Sequence, residues 1–125
     1  MKIPEQYLPI MPYLVLNDAK GFAEFAKSVF GATEQLIAPT GDNKIRHGEL
    51  KIYDAVIHVA NSGDNWVQKT AIMYLHVYDV NDVYNRALKQ SAKSLGAPQQ
   101  KDYGYSAGFE DPFGNQWFIV EAGKE

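Results

Sequence analysis

Cysteine is absent from the 125 residues. Its absence excludes disulfides, thiolate metal sites and a cysteine nucleophile together. No apolar run approaches the roughly 20 residues that span a bilayer. The opening residues Met1-Lys2-Ile3-Pro4-Glu5-Gln6 hold no long apolar stretch, so no secretory leader is read there. Clustered positive charge is missing too: 12 Lys and Arg stand against 15 Asp and Glu, for a net charge of −3. Duplex binding needs grouped cations that displace counterions. Lys89, Lys93 and Lys101 are instead spread over a helix end and a loop, as on a solvated face. Neither nucleic acid nor a membrane is expected as a partner, and a soluble cytoplasmic protein is. A hydrophobic share of 46% at this length predicts one globular domain with a real core.

What is present is one unit written twice. Tyr13-Leu14-Val15-Leu16-Asn17-Asp18 returns as Tyr74-Leu75-His76-Val77-Tyr78-Asp79, an offset of 61 residues. Each copy runs into an amphipathic helix, and each helix is expected to give way to Gly-Ala, at Gly31-Ala32 and Gly96-Ala97. In the first copy the apolar run 9–16 predicts a strand, with Pro12 confined to an edge or to the segment before pairing. Asn17 or Asp18 then caps a helix whose apolar positions (Ala19, Phe22, Ala23, Phe25, Ala26, Val29, Phe30) keep a 3.6-residue period. Strands follow over 32–38, 44–52 and 55–60. The second copy predicts a strand over 71–78, a helix over about 80–92, and strands near 98–103, 105–110 and 116–121. The class is α+β: two β-α-β-β-β modules, about 7–60 and 71–122, joined by a linker over 61–69. Neither module buries its apolar face alone, so the two are expected to form one domain with an open, curved mixed sheet and a seam. Seams are where pockets form.

This arrangement resembles the vicinal oxygen chelate superfamily, which includes glyoxalase I, extradiol dioxygenases and bleomycin-resistance proteins. The resemblance covers nearly the whole chain. It rests on Pro12-Tyr13-Leu14-Val15-Leu16-Asn17-Asp18, on Val29-Phe30-Gly31-Ala32, and on Tyr103-Gly104-Tyr105 leading to Asp111-Pro112-Phe113-Gly114-Asn115-Gln116-Trp117. His47-Gly48-Glu49-Leu50 and the short chain are similar to the PhnB-like and bleomycin-resistance-like branch. One such scaffold hosts many chemistries.

Metal-using members of that superfamily take one ligand from the first and one from the last strand of each module. Here the resemblance puts those positions at Met11, His58, Ile72 and Phe118, and the match of His47-Gly48 with Ala107-Gly108 supports the same register. Only His58 is a competent ligand, whereas a catalytic divalent ion normally needs three. Glu121 enters only by an odd slip that turns it to the other sheet face. His76 lies about 13 Å along the strand from position 72. His47, on a third strand, has no second ligand that the pattern supplies. The expectation is therefore a protein without metal or other cofactor.

Strand alternation gives a pocket lining instead: Tyr13, His47, Glu49, His58, Tyr74, His76, Phe109 and Phe118 on the concave face. Aromatic walls with sparse polar groups suit a small aromatic or polar molecule, with Glu49 as a counter-charge to a cationic one. Filling against a partner subunit is the alternative use of those aromatics. Trp66, in the polar linker, is either a lid or a dimer contact. Exposed sheet edges and the resemblance both imply a homodimer.

Three functions stay open. The first is metal-free capture of a small molecule, as in bleomycin-resistance proteins. The second is a glyoxalase- or dioxygenase-type enzyme using a divalent metal. The third is a metal-free enzyme with His58 or His76 as general base. Ser106 as a nucleophile lacks an elbow motif and a spaced acid.

Overall fold

The computed structural model describes residues 1–123, and the chain divides into two compact units, Met1–Thr70 and Ala71–Glu125. In the first unit the order is β1 (Tyr13–Leu16), α1 (Ala19–Phe30), β2 (Thr33–Pro39), β3 (Ile45–Ile52) and β4 (Ala55–Asn61). The second repeats it as β5 (Ile72–Val77), α2 (Val80–Lys89), β6 (Lys93–Lys101), β7 (Gly104–Glu110) and β8 (Gln116–Glu121). Each unit holds one four-stranded mixed sheet, ordered β1-β4-β3-β2 and β5-β8-β7-β6. The first and last strands of each module run parallel, and the other pairs are antiparallel.

Helix α1 starts where Asp18 Oδ1 accepts the Gly21 N–H at 2.9 Å, and α2 where Asp79 Oδ1 accepts the Asp82 N–H at 3.1 Å. Helix α1 ends at Gly31, whose φ of 70° lets the Ala32 N–H reach back to the Ala26 carbonyl. The second helix closes differently from the sequence expectation. It stops at Lys89, Ser91 takes a φ of 72°, and the Ala92 N–H returns to the Ala87 carbonyl. Ser91-Ala92 is thus the counterpart of Gly31-Ala32. Gly96-Ala97 lies inside β6, which starts earlier than expected. The first strand is also shorter than expected: Pro9 and Pro12 cannot donate to a ladder, and pairing begins at Tyr13. Pro12 still accepts the His58 N–H at 2.9 Å, which holds the preceding segment against β4.

In each unit one sheet face packs under its helix. Leu14, Leu16, Leu50, Ile52 and Val59 are buried with Phe22 and Val29 of α1. Phe109, Trp117 and Ile119 are buried with Val80, Val83 and Ala87 of α2. The turn before β8 is pinned from within. Asp111, itself buried, accepts the backbone N–H groups of Phe113 and Asn115, the Asn115 amide and the Trp117 indole, all at 2.9–3.0 Å. Asn115 Oδ1 in turn accepts the Ala71 N–H at 3.0 Å, fixing the start of β5 beside β8.

The expected linker is structured against the first unit. Asn61 closes β4, Lys69 exchanges backbone hydrogen bonds with Val15 at 2.7 and 3.1 Å, and Gln68 accepts the Asn17 N–H at 2.8 Å. Among the described residues no helix is long and apolar enough to cross a membrane.

Candidate functional site

Strand register gathers the polar cluster of the first unit. Tyr13 on β1 lies opposite His58 on β4, and His58 lies opposite Glu49 on β3. His47, two residues before Glu49, falls on the same face. Four of the expected lining residues therefore meet on the side away from α1. His47 Nε2 is 3.0 Å from Glu49 Oε2 and 3.4 Å from His58 Nδ1, and His58 Nδ1 is 3.8 Å from Glu49 Oε2. The expectation that His47 has no second ligand beside it is overturned. Neighbouring strands carry both other groups to it, a proximity that spacing along the chain does not display.

Glu49 is the centre of the cluster and is buried, with 2% of its surface exposed. It accepts the Tyr7 hydroxyl at 2.8 Å on Oε2 and the Gln35 amide at 3.0 Å on Oε1. Gln35 reaches it because a register shift between Glu34 and Leu36 leaves one extra residue in β2, as a bulge does. Burial pushes the Glu49 carboxyl upward, but hydrogen bonds from Gln35, His47 and Tyr7 and the nearby His58 outweigh it, so the group is held below the ordinary carboxylate value. The Tyr7 phenol is raised, first by its hydrogen bond to that carboxylate, then by desolvation and repulsion. Within the protein itself Glu49 is held by Tyr7, Gln35 and His47.

Around these groups stands an aromatic collar. The Tyr13 hydroxyl contacts His47 Nδ1 at 2.9 Å, and its ring stacks on His58 with centroids 5.5 Å apart. With the His47 proton on Nε2, that nitrogen donates to Glu49 while Nδ1 accepts from Tyr13. Tyr7 and Trp66 add rings 5.8 Å from His58 and 5.5 Å from Tyr13. Trp66 is about half exposed, at 48%. Tyr7 and Gln35 escaped the sequence reading. The first sits in an irregular segment, and the second is aimed by a bulge with no residue signature.

The second unit holds a different surface on the equivalent face. Tyr74 lies opposite Phe118, as Tyr13 lies opposite His58. A cavity of about 220 Å³ opens there, walled by Tyr74, Leu95, Tyr103 and Phe118, with Lys101 and Ser106 among its polar groups. Gly108 lies under the Phe118 ring; a Cβ there would stand 3.0 Å from Phe118 Cδ1. His76 is exposed on β5, edge-on to Tyr74 at 5.5 Å. Phe109 is a correction. It pairs with Trp117, on the face opposite Phe118, and is fully buried in the core under α2. Glu49 matches Gly108 rather than Phe109, because the offset between modules is 59 residues here, one fewer than the 60 by which His47-Gly48 matches Ala107-Gly108.

The four positions that the resemblance assigns to a metal do not fit one. Ile72 and Phe118 carry no donor atom, and Met11 offers a thioether that contacts His58 Nε2 at 3.3 Å. Among the described residues, His47, Glu49 and His58 are the one group of three His, Cys, Asp or Glu side chains spaced for an ion, with ligand atoms within 4.8 Å of one another.

No protein-family profile matches the chain. An uncharacterized protein of Mycobacterium bovis (strain ATCC BAA-935 / AF2122/97) is 27% identical over 128 residues, covering 93% of this chain and 84% of that protein. Among solved structures, the PhnB protein from Bacillus cereus superposes with a TM-score of 0.76 at 15% identity, over 92% of this chain and 100% of that one. A member of the glyoxalase/bleomycin resistance protein/dioxygenase superfamily from Sphaerobacter thermophilus DSM 20745 gives 0.66 at 18% identity, over 92% and 98%. The fold is that of the vicinal oxygen chelate superfamily. A further protein of this vicinal oxygen chelate fold, TnmS3 from Streptomyces sp. CB03234, is described as an antibiotic binding protein. It superposes with a TM-score of 0.71 at 16% identity, over 98% of this chain and 99% of that one.

Proposed function

We propose that the protein captures a small, flat molecule, aromatic with a polar or acidic group, against the helix-free face of its second sheet. The observation that carries this reading is the cavity of about 220 Å³ walled by Tyr74, Tyr103 and Phe118 beside Lys101 and Ser106. Aromatic walls give area and stacking, and a few polar groups give orientation. Lys101 suits a carboxylate or sulfonate on the ligand. In this reading capture rests on stacking against the rings and on hydrogen bonds to the polar groups, without a metal. The antibiotic-binding description of TnmS3 points the same way. In this reading the two modules work as one domain, in the cytoplasm.

The protein acts as a homodimer in the same proposal. Ile72 and Tyr74 on the second unit's open face are 71% and 59% exposed, and large exposed apolar side chains in one patch favour a partner. Light scattering should give twice the 14.0 kDa of the chain, and a dilute monomer would remove this part.

The test of capture is a thermal-shift and NMR titration with naphthalene and indole carboxylates and sulfonates. Stabilisation that disappears in Tyr74→Ala and Phe118→Ala supports the reading. Absence of any shift, or a shift that both variants retain, refutes it. A second reading, a divalent-metal enzyme of glyoxalase or dioxygenase type, has the His47–Glu49–His58 cluster in its favour. Turnover of a 2-oxoaldehyde hemithioacetal or a catechol by metal-loaded protein would establish it in place of the first.

A further inference from the structure

We infer that His47 Nε2, His58 Nδ1 and Glu49 Oε2 form a binding site for a divalent first-row transition metal, built wholly from β3 and β4 of the first unit. The site differs from the arrangement implied by the sequence resemblance, which draws one ligand from each of four strands across both modules and which these residues do not fill.

Geometry is the first support. The three atoms are separated by 3.0, 3.4 and 3.8 Å, and the circle through them has a radius of about 2 Å. That radius matches metal–nitrogen and metal–oxygen bonds of about 2.0–2.2 Å. One ion can therefore touch all three without any ligand moving far. Read as a hydrogen-bonded cluster, the trio serves His47 and Glu49, at 3.0 Å, but leaves His58 Nδ1 poorly placed. His58 Nδ1 sits 3.4 Å from one neighbour and 3.8 Å from the other, beyond good hydrogen-bond range. The spacing is that of ligands around a shared centre.

The surrounding shell is the second support. Metal-binding imidazoles are held by a partner on their other nitrogen, and ligating carboxylates are themselves hydrogen-bonded. His47 Nδ1 meets the Tyr13 hydroxyl at 2.9 Å, which the metal-bound form would reverse so that Nδ1–H donates. Glu49 is oriented by Gln35 on Oε1 and by Tyr7 on Oε2, whose second lone pair, facing His47 Nε2, would turn to an ion once that nitrogen is itself a ligand. The carboxylate is buried, so a dication at this point would neutralise a group that the fold has already withdrawn from water.

Ligand type decides the class of ion. Two imidazoles and one carboxylate suit Zn²⁺, Co²⁺, Ni²⁺ or Fe²⁺, whereas Mg²⁺ and Ca²⁺ favour all-oxygen shells. Three protein ligands leave a position open to water or an anion, and His47 is the more exposed of the two imidazoles, at 28% against 13% for its side chain. Nothing in this site depends on the ligand reading of the second unit.

The experiment uses full-length protein stripped with chelator and titrated with ZnCl₂ and CoCl₂ by calorimetry and absorbance, with MgCl₂ as comparison. One equivalent of Zn²⁺ or Co²⁺ per chain is expected. The affinity should fall at least about 100-fold in His47→Ala and Glu49→Gln, and about 10-fold in Tyr13→Phe, with circular dichroism unchanged. Side-chain NMR of the wild type reads the same site should a variant fail to fold: Zn²⁺ must shift the imidazole signals of His47 and His58 and leave His76 unmoved. No stoichiometric uptake, uptake that the variants retain, or imidazole shifts confined to His76 would overturn the inference. Failure here leaves aromatic capture standing, because that titration contains no metal.

Discussion

The Trp117 indole N–H donates to Asp111 Oδ2 at 2.9 Å, joining two residues that are both buried. The Asp-Pro-x-Gly-Asn-x-Trp run is therefore a structural clasp in this chain. One carboxylate satisfies two backbone N–H groups of its turn, the Asn115 amide and the indole of the largest core side chain in its unit. Replacing Asp111 by Ala strands all of these donors at once. The expected loss is about 3–5 kcal/mol in urea unfolding, with Asp111→Asn costing about 1–2 kcal/mol. Equal stability of Asp111→Ala and wild type would show that water replaces the carboxylate.

Gln35 is a bulge residue with one evident task, the hydrogen bond to Glu49 Oε1 at 3.0 Å. Gln35→Ala leaves that oxygen of a buried carboxylate without its partner. It should cost about 1–2 kcal/mol and loosen the cluster. Thermal melts read the first effect, and broadening of the His47 and His58 imidazole signals reads the second.

Ser91 holds a φ of 72° where the first module has Gly31 at 70°. A side chain there opposes the left-handed backbone that the helix end requires. Ser91→Gly should therefore stabilise the protein by about 1 kcal/mol, and Gly31→Ala should destabilise it by a similar amount. Opposite signs in denaturant midpoints check both at once.

Gly108→Ala places a methyl 3.0–3.1 Å from two carbons of the Phe118 ring. The ring must give by a few tenths of an ångström toward the cavity beside it. About 1 kcal/mol of stability should be lost, with weaker binding of the naphthalene probes than wild type. A variant with unchanged probe affinity would place the aromatic seat elsewhere.

Much of the fold was legible because its signals are local and periodic. The repeat of Tyr13–Asp18 at Tyr74–Asp79, the 3.6-residue stripe of α1 and the turn-forming Asp111–Asn115 each declare themselves within a few residues. What failed was counting across irregularities. Ser91 replaces a glycine at the second helix end, so the Gly-Ala pair that looked equivalent was five residues too late. A one-residue change of offset turned Phe109 from the open face into the core. The candidate site was half legible for the same reason. Alternation put Tyr13, His47, Glu49 and His58 on one face, but the closeness of His47 to His58 follows from adjacent strands in register. Tyr7 and Gln35 come from an irregular segment and a bulge, where no period applies.

Tyr13 over His58 and Tyr74 over Phe118 are twin seats, set by the same parallel pairing in each module. The two modules share this pairing, so what distinguishes the seats at these paired positions is the side chain. The first is ionic and, at Glu49 and His58, withdrawn from water; the second is aromatic and open. The scaffold thus behaves like a socket with two fittings: His47, Glu49 and His58 in one half stand where the other half carries Ser106, Gly108 and Phe118.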